Sequence, residues 1–177
     1  MNEKEATKSW FSRRIEEEVE NFDIIPSRDR VTGISIVVVF SLIVLYFVTH
    51  QIWSTGFFTT AFGTVEMIML YGSLIAWIIT GALEGVFGRK SLSRDFDAFG
   101  GFIIVIVGIT WLLVVFPFEF ANFANVLPDF LRFLVQWISN EIARVLMVLV
   151  LIVTLVMVVY STILRVLVRK ELSKRKK

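Results

Sequence analysis

The stretch IARVLMVLVLIVTLVMVVYSTILRVLV, residues 142–168, decides what class of protein this is. Its two charges, Arg144 and Arg165, bracket twenty consecutive residues that carry no acid or base. At 1.5 Å per residue, ~20 helical residues cross a hydrocarbon core ~30 Å thick, and no soluble core requires such a run. Twenty-seven residues exceed that need, so this span either tilts or projects a turn or two into the cytoplasm.

Three further runs repeat the pattern upstream. Residues 31–53 contain Gly33, Ser35, Ser41 and His50; residues 61–83 contain Glu66; residues 99–118 carry Pro117 near their end. The whole chain of 177 residues is 56% hydrophobic and 19% charged, on the membrane side of the roughly half and quarter usual for soluble domains. The expected fold is all-α: a polytopic four-helix transmembrane bundle forming one domain, residues 31–168, between residues 1–30 and a basic tail, 169–177.

Lysine and arginine set the orientation. Residues 1–30 hold six, the 84–98 loop three (Arg89, Lys90, Arg94) and residues 165–177 seven, among them Arg169 and Lys170. The intervening connections, 54–60 and 119–144, hold none and two. Sixteen against two is a strong positive-inside bias, which places both termini in the cytoplasm and the protein in a cell membrane. The charged first thirty residues and the long apolar run after them do not read as a cleavable signal peptide.

Composition also excludes chemistry. Without cysteine there is no disulfide framework, thiolate metal site, iron–sulfur cluster or thiol nucleophile. A single histidine leaves no multi-histidine metal centre or bis-histidine haem. No GxGxxG or P-loop spacing supports nucleotide binding, so no cofactor is expected. The bases lie beside membrane segments, where orientation accounts for them and nucleic acid is not implied.

Two amphipathic pieces flank the spans. In residues 3–22, Phe11, Ile15, Val19 and Phe22 form a narrow helical stripe with Trp10 beside it, ended by Pro26. This helix lies at the cytoplasmic interface or on the protein's own base; its acids can pair with the basic C-terminal end. After Pro128, Asp129, Arg132, Gln136 and Asn140 repeat at three to four residues opposite Phe130, Phe133, Leu134, Trp137 and Ile138. That pattern predicts an interfacial helix of about thirteen residues before the fourth span, at headgroup depth.

Faces follow from spacings of seven. Glu66, Ser73 and Thr80 share one stripe of the second span, Gly101 and Gly108 one of the third, and Met147, Thr154 and Ser161 one of the fourth. Small and hydroxyl residues at that repeat suit close, left-handed helix packing. Gly81-x-x-x-Gly85 is a small-xxx-small pattern and a weak pointer to dimerisation.

Glu66 is the one acid inside an apolar span, and His50 ends the first span at a similar height. An intramembrane acid is a candidate functional site. Glu66, His50, Ser73 and Thr80 therefore form the candidate polar site. Its structural reading is a hydrogen bond from His50, Thr49 or the backbone; its functional reading is proton or cation handling. Catalysis would need a second group, and Glu119, Glu141 and Asp129 show no motif spacing. The expected function is structural or accessory, through helix–helix association in the bilayer as a homo-oligomer or with a membrane partner. The alternatives are an ion or proton conduit using Glu66 and His50, and an enzyme acting on lipid.

Overall fold

The computed structural model describes residue 19, residues 27–87 and residues 101–175. Within them the chain is helical, with no strands beyond one isolated bridge. Helix α1 is Ser27–Ile52, α2 Thr64–Gly85, α3 Phe102–Val115, α4 the single turn Asp129–Arg132, and α5 Asn140–Arg175. A 3₁₀ helix, Phe120–Val126, precedes α4. Helices α1, α2 and α5 are each long and apolar enough to cross a membrane. Most of residues 3–22 and the basic residues Arg89, Lys90 and Arg94 lie outside the described residues; Val19 is helical and buried.

Among the described residues the third apolar segment ends earlier than its sequence pattern. Its helix has 14 residues, about 21 Å, and stops at Val115 because Pro117 has no N–H to offer the preceding turn. A residue before proline also leaves the right-handed helical region, and Phe116 turns left-handed at φ 44°. The expected interfacial helix is also absent as such. After the one turn of α4 the chain continues in successive turns to Trp137, because Ser139 starts a new helix. The Ser139 hydroxyl accepts from the Ile142 amide (3.3 Å) and its carbonyl from Ala143 (2.9 Å), which is N-cap geometry.

Successive helices run antiparallel. Tyr71 donates to Gln51 (2.6 Å) near the end of α1, Phe40 stacks on Trp77 at 5.4 Å, and Gly33 meets Gly81 and Gly85 at the far end. Trp111 of α3 lies against Glu66, Gly108 against Ser73, and Phe102 against Trp77. The Arg144 guanidinium of α5 sits 4.1 Å above the Phe116 ring. The end of α1, start of α2, end of α3 and start of α5 therefore share one pole, and residues 27 and 175 both lie towards the other.

These contacts follow sequence order, α1 on α2, α2 on α3, α3 on α5, and among the described residues neither α1 nor α2 packs comparably on α5. Among the described residues the helices thus form an open row, and the expected four-helix transmembrane bundle is not confirmed. The cause lies in what holds helices together in lipid. With no hydrophobic pressure to close a core, association depends on close approach at small residues. Gly33 with Gly81 and Gly85, and Gly108 with Ser73, supply that approach at the first two contacts. The Gly81-x-x-x-Gly85 face is therefore used within the chain. Among the described residues of α5 only Ala143, Thr154 and Val168 are buried, in an otherwise largely branched aliphatic surface most of which stays exposed.

The buried stripes match the sevenfold spacings in part. Glu66, Ser73, Gly101, Gly108 and Thr154 are buried, whereas Thr80, Met147 and Ser161 are half-buried.

Candidate functional site

The pole where the four helices meet is an aromatic cap built from two connections. Residues 54–63 reverse the chain through Ser54 (φ 48°) and Gly56 (φ 81°). They then run antiparallel to the segment after α3. Glu119 N–H donates to the Phe57 carbonyl (2.7 Å) and Thr59 N–H to the Pro117 carbonyl (3.1 Å), bridging Phe58 and Phe118. Phe57 is fully buried at the centre, with ring centroids of Phe47, Phe58, Phe118, Phe120 and Phe123 4.9–5.8 Å away. Leu70 and Leu112 complete this core from α2 and α3.

His50 is 1% exposed at the edge of the cap. Its Nε2 lies 3.1 Å from the Phe123 carbonyl, an acceptor only, so Nε2–H donates. Nδ1 then accepts from the Thr55 hydroxyl. Tyr46 also donates its hydroxyl to the Phe123 carbonyl. The imidazole thus bolts the end of α1 to both connections, 54–63 and Phe120–Val126. Its ring lies parallel to Phe123 and 4.7 Å from Phe57.

Glu66 is buried but not paired with His50. Oε1 accepts from Trp111 Nε1 (3.0 Å) and Oε2 from the Gly63 amide (2.9 Å). The reason is local. Helix α2 starts at Thr64 with Gly63 as its N-cap, so Glu66 occupies the third helical position, where a carboxyl reaches back to the cap amide. The positive end of the helix dipole favours an acid there. Gly63 followed three residues later by Glu66 was a readable start signal; Trp111 as second donor was not, since it comes from another helix.

Ser73 serves packing: it donates to the Met69 carbonyl of its own helix (2.7 Å) against Gly108. Thr80 is half-buried, fourteen residues along α2 from Glu66. Structure therefore distributes Glu66, His50, Ser73 and Thr80 over separate contacts and does not gather them.

A second polar knot, unseen in the sequence, ties α5 to the cap. Asn140 accepts from the Phe120 amide (2.7 Å) and donates to Glu119 Oε1 (3.2 Å). Asn122 donates to the Gly56 carbonyl (3.1 Å) and accepts from Asn125 (3.1 Å). Beyond it, Asp129 and Arg132 form an exposed ion pair at 3.2 Å. Phe130, Phe133, Leu134 and Trp137 all point outward, with Trp137 Nε1 donating to the Leu134 carbonyl (2.7 Å). Gln136 is exposed on the same stretch, and Arg169 and Lys170 are exposed at the far end of α5.

One apolar groove, about 540 Å³, runs along α2 and α3 between Ile68, Gly72, Ile79, Ile104 and Val107. It presents hydrocarbon and no side-chain hydrogen-bonding group. Among the described residues no cluster of His, Asp or Glu has metal-binding proximity, and every buried side-chain polar atom has a partner. No protein-family model matches this chain, and neither does any curated protein or solved structure with which it was compared.

Proposed function

We propose that the protein is a small structural or accessory membrane protein that acts by helix–helix association, as an oligomer or within a larger membrane complex. The observation that carries this reading is the open row. Its two edge helices, α1 and α5, present long apolar surfaces, from Val31 to Leu45 and from Val145 to Val166, with no neighbour on their outer sides among the described residues. Edge helices of this kind suit lateral association, and the cap holds the row at a fixed geometry from one pole.

The reading includes four crossings with both termini in the cytoplasm of a cell membrane. The lysine and arginine bias supports it, as does the direction of α3, which runs antiparallel to both α2 and α5. Among the described residues this helix is about 21 Å long, and the aromatic residues beyond Pro117 extend the crossing towards the outer pole. Phe130, Phe133, Leu134 and Trp137 then lie at the outer headgroup level.

A conduit through Glu66 and His50 has less support, because both side chains spend their polar atoms holding helices and loops together. The test is affinity purification from native membranes in mild detergent, with vesicle flux measured in parallel. Stable co-purifying chains or a homo-oligomer, with no proton or cation flux, is the expected result. A flux abolished by Glu66→Gln would reject the structural reading.

A further inference from the structure

The apolar groove between α2 and α3 has a length and a width that select its occupant. Along α2 it runs from Ile68 to Ile79, roughly 16 Å of helix. That is close to the depth of one leaflet, half of a hydrocarbon core ~30 Å thick. A volume of about 540 Å³ spread over this length leaves a cross-section of roughly 33 Å². A helix ~10–12 Å across has more than twice that section, so the groove seats one extended hydrocarbon chain and no helix. Its floor is Gly72, where an added Cβ would meet only Ile104 Cγ2 at 3.9 Å. Ile68, Ile75, Ile103 and Val107 form exposed walls.

The end of the groove nearest the aromatic cap is chemically different. Glu66 precedes the groove residue Met69 by three positions, and Trp111 follows the groove residue Val107 by four. At those spacings each lies one turn beyond the groove on the same side of its helix. The indole donates to Glu66 Oε1 at 3.0 Å and the Gly63 amide to Oε2 at 2.9 Å. Both donors are neutral, and among the described residues no basic side chain pairs with this acid. Each carboxylate oxygen keeps a second acceptor position. Glu66 is in the first turn of α2 and retains an exposed edge of 8%, while Trp111 is 41% exposed. An acid at lipid depth calls for a counter-charge, and an open indole face attracts an ammonium group.

We propose that the α2–α3 groove is a lipid site. It takes one hydrocarbon chain of an amine-bearing phospholipid, whose ammonium group meets the Glu66 carboxylate and the Trp111 ring. The site rests on the crossing of the bilayer by α2 and α3 proposed above, and not on association between copies. A soluble amine would use the polar end and leave the groove idle; a lipid uses both.

The test titrates the purified protein in mild detergent with phosphatidylethanolamine or phosphatidylglycerol of identical chains. Retained lipid is read by native mass spectrometry and its effect by thermal midpoint. The parent should retain one phosphatidylethanolamine per chain, several-fold better than phosphatidylglycerol, with a matching rise in midpoint. Gly72→Leu fills the groove from its floor and should lower retention of both lipids several-fold. Glu66→Gln keeps an acceptor for the indole and should retain lipid while making the two headgroups equal. A parent with no preference or the reverse preference, undiminished retention in Gly72→Leu, or an intact preference in Glu66→Gln would each overturn the proposal. A reporter fused at residue 177 reads the crossing separately. Failed lipid retention with a cytoplasmic reporter rejects the site and leaves the crossing standing; an external reporter removes both.

Discussion

Replacing Gly33 with alanine tests the close-approach account of the row most finely, because the same substitution at Gly72 should do the opposite. A Cβ built on Gly33 would lie 2.5 Å from the Gly85 nitrogen, 2.8 Å from the Gly81 carbonyl oxygen and 2.9 Å from the Gly85 Cα. All three are backbone atoms, so no rotamer relieves the contact; α1 must move off α2 by about an ångström to restore ordinary separation. Overpacking of this kind costs ~1–3 kcal/mol. The alanine recovers ~0.4–1 kcal/mol through the unfolded chain, leaving a net loss of ~1–2 kcal/mol. At Gly72 the new Cβ would meet only Ile104 Cγ2 at 3.9 Å, an ordinary contact in the groove. There the entropic gain stands alone, and stability should rise slightly. The assay is reversible unfolding in mixed micelles, comparing midpoints of the two variants with the parent. Equal shifts of the same sign would refute the claim that glycine contacts organise these helices.

Other substitutions test the cap and topology. Phe57→Ala removes the fully buried centre of the aromatic cluster and should cost ~3–5 kcal/mol by the same unfolding assay. Phe130→Ala, at 73% exposure, should leave stability within experimental error. Trp111→Phe deprives Glu66 Oε1 of its donor and should lower the thermal midpoint in detergent; Glu66→Gln in that background should recover part of the loss. Reporter fusions at residue 177 should be active in the cytoplasm alone; an external reporter would mean that α3 does not cross.

Much of the fold was legible because the bilayer imposes long unbroken apolar runs. The helices at residues 27–52, 64–85 and 140–175 follow from those runs, and the burial of Gly101, Gly108, Ser73 and Thr154 follows from a repeat that keeps them on one face. The 129–141 segment shows where periodicity misleads: apolar spacing predicts one helix, but the Ser139 cap outcompetes its continuation. The polar site was legible in its residues and not in its pairings. Glu66 takes a local cap amide three residues away and an indole from α3, a choice set by helix start and helix order. The aromatic cluster was not legible: its phenylalanines are scattered over 47–123, and the two-bond bridge between the connections makes Phe57 its centre.

The molar mass of the protein component in a mild-detergent particle, measured by light scattering, tests the central claim most directly. A chain of 20.3 kDa with two apolar edges should give a mass corresponding to several copies, or to this chain plus stoichiometric partners. Helix breakers placed on the outer surface of α5 should reduce that mass to one chain. A stable monomer of the parent protein, with no partner retained at any detergent concentration, would contradict the account.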